Sequence, residues 1–266
     1  MLRHPAVAGS FYPGNRSQLE TILQQLIPHV PAPAAATAVI LPHAGYVYSG
    51  AIAGETLAQV RVPERVILLG PNHTGEGAEF AVSRARAWQT PLGPLDLDQQ
   101  LARQLVQAIP KAEFDDRAHQ REHSLEVLLP LLQWQNPTLR IVPICIRSFE
   151  LVALLEFGIA LGSFLRGAGE ILLVGSSDMS HFISGREARD KDFLAIEQLQ
   201  QLDPAELYRT VRQHRISMCG VAPCVSLLQA CRELGASQAE LIRYGNSGDL
   251  NGDQSSVVGY AGLVIS

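Results

Sequence analysis

The chain is poor in the features that mark most specialised proteins. It has 21 Lys and Arg against 26 Asp and Glu, a formal net charge of −5. With the two signs interspersed, no basic stripe is left to attract a phosphate backbone or an anionic lipid surface. Aromatic residues make up only 6% of the chain, too few to pave a single-strand nucleic-acid groove, so nucleic acid is excluded as a partner. No run approaches the ~20 apolar residues that span a bilayer. The opening "MLRHPAVAGSFYPG" lacks the long apolar stretch of a leader, so no membrane association and a cytoplasmic location are expected. Four cysteines, Cys145, Cys219, Cys224 and Cys231, are too few for a disulfide framework in 266 residues, and reduced thiols are expected. No GxGxxG follows a strand, and neither GxxxxGK[ST], GxSxG nor HExxH occurs. Nucleotide binding, a hydrolase elbow and the common zinc-protease helix therefore have no support.

What is present is a core. Hydrophobic residues account for 47% of the chain and charged ones for 18%. Apolar runs of strand length (38–41, 65–69, 139–144, 170–174, 240–244, 257–264) alternate with helical patterns (96–108, 124–134, 149–165, 186–199, 204–213, 220–234). That alternation predicts an α/β fold: a single-domain sandwich spanning residues 1–266, with a largely parallel mixed sheet covered by helices. The Pro-rich stretch 28–37 reads as an extended connection rather than a domain boundary.

Three strands end in the same way. "AVILPHAGY" (38–46), "VILLGPNHTG" (66–75) and "EILLVGSSDMSH" (170–181) each pass from branched apolar residues into a turn carrying His43, His73, or Asp178 with His181. Ligands of open α/β sheets gather beyond the carboxyl ends of the strands, and a rigid sheet could aim all four side chains into one crevice. Two imidazoles and an anion make a metal site that leaves coordination positions open, and the anion could be Asp178 or Cys219. Cys219 lies just ahead of a predicted helix, whose positive end, together with a metal, would favour thiolate. Each residue also has a plainer role: Asp178 could brace a loop, and Cys219 could be a small buried hydrophobe. In "HQREHSLEVLLP" (119–130), His119, His123 and Glu126 are expected to form a buried hydrogen-bond network, with Ser124 capping a helix. "NSGDLNGDQSS" (246–256) lacks the Gly and Glu of a calcium loop and reads as a turn-rich loop.

The motifs "HPAVAGSFYPG", "LPHAGYVYSG", "LLGPNHTG", "EHSLEVLLP", "SSDMSH", "MCG" and "GNSGD", in that order, resemble the Memo-like family, also called AmmeMemoRadiSam system protein B, over essentially the whole chain. The resemblance implies the fold of class III extradiol dioxygenase catalytic subunits. It also implies His43, His73 and Cys219 as metal ligands, with Asp178 and His181 lining the same vestibule, and iron (Fe2+) or copper as the metal. A cysteine near the third position departs from the two-histidine, one-carboxylate set of those dioxygenases. Three functions follow as expectations. One is a non-haem metal-dependent oxidoreductase acting on a small molecule, with His181 as acid-base and Asp178 orienting it. Another is a non-enzymatic metal- or peptide-binding protein that uses the pocket as a receptor. The third is hydrolysis by zinc-bound water. The family name further implies a functional link to radical-SAM and AMMECR-type proteins.

Overall fold

The computed structural model describes residues 1–266. In chain order the elements are β1 (Leu2–Arg3), α1 (Arg16–Leu26), β2 (Ala38–Leu41), α2 (Tyr46–Ala58), β3 (Arg65–Pro71), β4 (Phe80–Val82), β5 (Ala87–Thr90), β6 (Gly93–Asp96), α3 (Gln99–Ala108), β7 (Ala112–Phe114) and α4 (Arg117–Gln120). They continue with α5 (Leu129–Gln135), β8 (Arg140–Ile146), α6 (Leu151–Leu165), β9 (Leu172–Ser176), β10 (His181–Ile183), α7 (Gly185–Gln200), α8 (Pro204–Gln213), α9 (Val221–Glu233), β11 (Ala239–Asn246) and β12 (Val257–Ile265). A nine-stranded sheet runs β10-β12-β2-β9-β3-β8-β4-β7, with β11 on β12, and a small sheet β1-β5-β6 stands apart.

The centre, β2-β9-β3-β8, is parallel, whereas β12 and β4 join it antiparallel, so the sheet is mixed. Its central strands are apolar except for Arg65 and Arg140 at their starts and Ser176 at the end of β9, because helices cover both faces, and the pleat deals their side chains out alternately. Ala38, Ile40, Ile67, Leu69, Val142, Ile144 and Leu173 enter a 39-residue cluster beneath α6, α8 and α9. Val39, Leu41, Val66, Leu68, Ile141, Leu172 and Val174 enter a 31-residue cluster beneath α1, α2 and α5 on the other face. No helix is long and apolar enough to cross a membrane.

Two departures from the sequence-based expectation have physical causes. Helix α2 was not expected, because its sequence YVYSGAIAGETLA buries nine residues around the cylinder and shows no apolar stripe. Its small residues permit close packing instead: a Cβ on Gly54 would lie 2.2 Å from the carbonyl oxygen of Leu26, so α1 and α2 meet at backbone contact. The helix expected over 124–134 breaks in two, a 3-10 turn at Glu126–Leu128 followed by α5 with a proline in its first turn. Ser124 caps neither, since its hydroxyl donates to the Pro71 carbonyl at 2.8 Å.

Candidate metal centre

Because β2, β9 and β3 are parallel neighbours, their carboxyl ends share one edge. His43, Asp178 and His73 each lie two residues past the last residue of their strand. The sheet brings His43 and His73 together, with ring centroids 5.4 Å apart. A third imidazole joins them: His123 stacks on His73 at 4.7 Å and meets His43 edge-on at 5.5 Å. One ring nitrogen from each of the three lies within 4.8 Å of the others.

The surrounding hydrogen bonds determine which nitrogen the His43 and His73 rings offer. Ser176 Oγ donates its proton to the Ser124 carbonyl at 2.6 Å, so at 2.7 Å it can only accept from His43 Nδ1. His43 Nε2 thereby carries the unprotonated lone pair. His73 is treated the same way by the Glu122 carboxylate, which lies 2.8 Å from its Nδ1 and accepts its main-chain N–H at 2.5 Å. Oε1 of Glu122 also accepts the main-chain N–H groups of His123 and Ser124, both at 2.9 Å. Burial and the neighbouring His123 and His73 rings push His43 well below the ordinary imidazole value, and burial also lowers His123. Burial alone would raise Glu122, but the hydrogen bonds from His73 and the Ser124 N–H hold it at about 2. An imidazole whose Nδ1–H is held by an acceptor directs the lone pair of its neutral form from Nε2, the arrangement in which it accepts a metal ion.

Cys219 touches one side of the cluster, with its Sγ 3.4 Å from His43 Nε2. Burial and the Asp178 carboxylate push its thiol well above the usual range, so the expected thiolate-favouring pull of helix α9 is outweighed. Gly220 sets its position, since a Cβ there would fall 2.3 Å from the Ser176 carbonyl oxygen. Asp178 braces the His43 loop, with Oδ1 accepting the His43 N–H at 2.8 Å, and burial raises it to about 6. It does not orient His181. The Nδ1 of that ring lies 2.7 Å from the Met179 carbonyl and 2.9 Å from the Ser217 carbonyl, and its main-chain N–H donates to Ser217 Oγ at 2.7 Å. Two acceptors on Nδ1 leave Nε2 as the unprotonated nitrogen of the neutral ring.

The expected network over 119–130 therefore divides. Glu126 turns away from His123 and accepts from Arg3 at 2.5 Å, Ala6 N at 2.7 Å, Tyr12 Oη at 2.8 Å and Val7 N at 2.9 Å. His119 pairs with the Ala81 carbonyl at 3.0 Å and with Cys145 Sγ at 3.3 Å. Sequence reasoning placed His123 in the wrong company and passed over Glu122. The available signal was the Glu122-His123 pair itself, polar residues set just ahead of the mostly apolar run 125–132. The 246–256 loop is the turn-rich structure expected, with Asn246 and Asp249 capping each other's backbone.

A family model described as Memo-like protein matches residues 3–264. A MEMO1 family protein of Aquifex aeolicus is 41% identical over 266 residues, covering 99% of both chains. Another, from Methanopyrus kandleri, is 38% identical over 280 residues, covering 100% of this chain and 99% of its own. A solved structure of an uncharacterized protein from Escherichia coli K12 superposes with a TM-score of 0.58 at 16% identity, covering 85% of this chain and 98% of that one, and shares the fold.

Proposed function

The chain belongs to the Memo-like protein family, and we propose that its clustered histidines are a transition-metal centre, with His43 and His73 as ligands and His123 and Cys219 supplying further donors. The observation that carries this is the convergence of three imidazole nitrogens within 4.8 Å, with Nδ1 of both His43 and His73 held by a hydrogen-bond acceptor. The donor set suits iron (Fe2+) first, then copper or zinc, since imidazole with a single soft sulfur accommodates all three. Iron or copper there, unlike redox-inert zinc, would supply redox chemistry toward oxygen and a small-molecule substrate, the basis for reading the protein as a dioxygenase-like oxidoreductase.

The chain's own residues would do the rest. Asp178 and Ser176 hold His43 in place, and Glu122 holds His73. His181, with Nδ1 pinned between two carbonyls, presents Nε2 to take or return a proton. The family's implied link to radical-SAM and AMMECR-type proteins would set such a reaction in a modification pathway. A second reading, a receptor for a small molecule or peptide without chemistry, is favoured by the exposed Phe182 and Tyr48, which rim a cavity of about 320 Å3 with Val258 and Tyr260 next to His181.

Anaerobic metal analysis of untagged protein, wild type beside a His43→Ala, His73→Ala double variant, tests the centre. About one equivalent of iron or copper in the wild type, lost in the variant, is the expected result, and oxygen uptake with catechol-type substrates would then support the oxidoreductase. No bound metal, and no uptake when Fe2+ is supplied, would overturn it in favour of the receptor.

A further inference from the structure

Glu122 is 1% exposed, and its carboxylate makes no ion pair with Lys or Arg. All of its hydrogen bonds go to the two segments that carry His73 and His123: two to His73, one to the His123 N–H and one to the Ser124 N–H. Its own carbonyl oxygen is in turn held by Arg3 at 2.7 Å, and the same guanidinium holds the His119 carbonyl at 2.8 Å. A buried carboxylate is costly unless it is fully paired, so its placement among these donors has a specific consequence. It ties the loop after β3 to the segment after α4, and it decides which His73 nitrogen carries the proton.

We infer that Glu122 is the positioning residue of the centre: it forces the proton of His73 onto Nδ1 and so keeps Nε2 open toward His43 and His123 before any metal arrives. This inference rests on the metal-centre reading for its purpose, though the tautomer it assigns is a property of the metal-free chain. An amide at this position cannot reproduce the arrangement, because every partner is a donor and one end of a glutamine is itself a donor. Turned one way, the amide NH2 opposes the His73 main-chain N–H. Turned the other, it opposes the main-chain N–H groups of His123 and Ser124 as well as His73 Nδ1, so the first orientation is favoured and Nδ1 keeps its acceptor. Only loss of both oxygens, as in Glu122→Leu, frees the ring proton to move to Nε2, the nitrogen that would bind metal. Losing such a carboxylate typically lowers metal affinity about 10–100-fold.

The test is Glu122→Leu, examined by 15N NMR of metal-free protein at about pH 8, where free imidazole is neutral, and by competition titration of Zn2+ or Co2+ against a chelator. Gly162→Ala serves as control: it crowds the α6–α9 contact, where a Cβ would lie 2.4 Å from Glu233 Cβ, far from the histidines in the fold. The expected result is a His73 tautomer that shifts toward Nε2–H in Glu122→Leu, with affinity reduced about 10–100-fold, while the control changes neither. If Glu122→Leu does not fold, Glu122→Asp keeps the charge but is one methylene too short to span Nδ1 and both backbone partners, and the same shift is expected. A wild-type His73 tautomer in the folded variant, or affinity within about twofold of wild type, would overturn the inference. Should the wild type bind no metal, the metal-centre reading fails, and the tautomer measurement still decides the role of Glu122.

Discussion

Replacing Glu126 with alanine would expose how the N-terminal segment is held. Its carboxylate is wholly buried and receives a guanidinium N–H, two main-chain N–H groups and a tyrosine hydroxyl, all from residues 3–12. Truncation removes the anion from a buried pair, a change that commonly costs about 3–5 kcal/mol because the remaining charge is left uncompensated. Arg3 would not be wholly bare: it keeps the carbonyls of His119 and Glu122 and stands 4.2 Å over the Trp88 ring. The lower end, about 3 kcal/mol, is therefore expected, most of it from the Arg3 charge and the buried Tyr12 hydroxyl. For a chain of this size that is roughly 6 °C in Tm at about 2 °C per kcal/mol. Urea unfolding should show a lower midpoint at an unchanged slope, since the same surface is exposed. Combining Glu126→Leu with Arg3→Met should recover the share of the loss due to the bare Arg3 charge, because removing both charges removes the desolvation penalty as well as the attraction, while Tyr12 and the Ala6 and Val7 N–H groups stay without their acceptor. A loss below about 1 kcal/mol in the alanine variant, or no recovery in the double variant, would refute the reasoning that this network is a dry ion pair.

Two further outcomes follow. His119 is lowered to about 4 by burial, with the nearby Arg3 guanidinium adding to the effect. The unfolded chain therefore takes up a proton near 6.5 that the native one refuses, and stability should fall as pH drops from about 6.5 toward 4, by about 3 kcal/mol from this residue; acid unfolding of His119→Gln with an undiminished slope across that window would contradict the assignment. The thiol of Cys219 is protonated in the metal-free chain, so a metal that binds its sulfur must displace one proton, whereas binding by neutral imidazoles alone displaces none. Titration of Co2+ in weakly buffered solution should release about one proton and produce a sulfur-to-metal charge-transfer band, both lost in Cys219→Ala; release of none, with no such band in the wild type, would leave His43, His73 and His123 as the donors.

How much of this was legible in the sequence depends on how local each cause is. Strands such as β2 and β3 are readable because burial on both faces writes itself as an unbroken apolar run, and His43 and His73 are readable because each stands two residues beyond such a run. Helix α2 was illegible for the opposite reason: its order comes from small residues pressed against α1, a tertiary cause without a period in its own sequence. His123 and Glu122 fall between these cases. Their segment belongs to no helix, so spacing rules written for helix faces paired His123 with Glu126 three residues on, whereas the chain turns between them and sends one to the histidine cluster and the other to Arg3. The loops that follow strands are set by the sheet and can be read from it. The partners that orient their side chains arrive from distant segments, 49 residues away for Glu122 and His73, and only the folded chain shows which carboxylate meets which imidazole. A search for such a centre from sequence alone should therefore weigh charged residues in short non-helical segments ahead of apolar runs, since a buried charge there must be answered by something the fold brings to it.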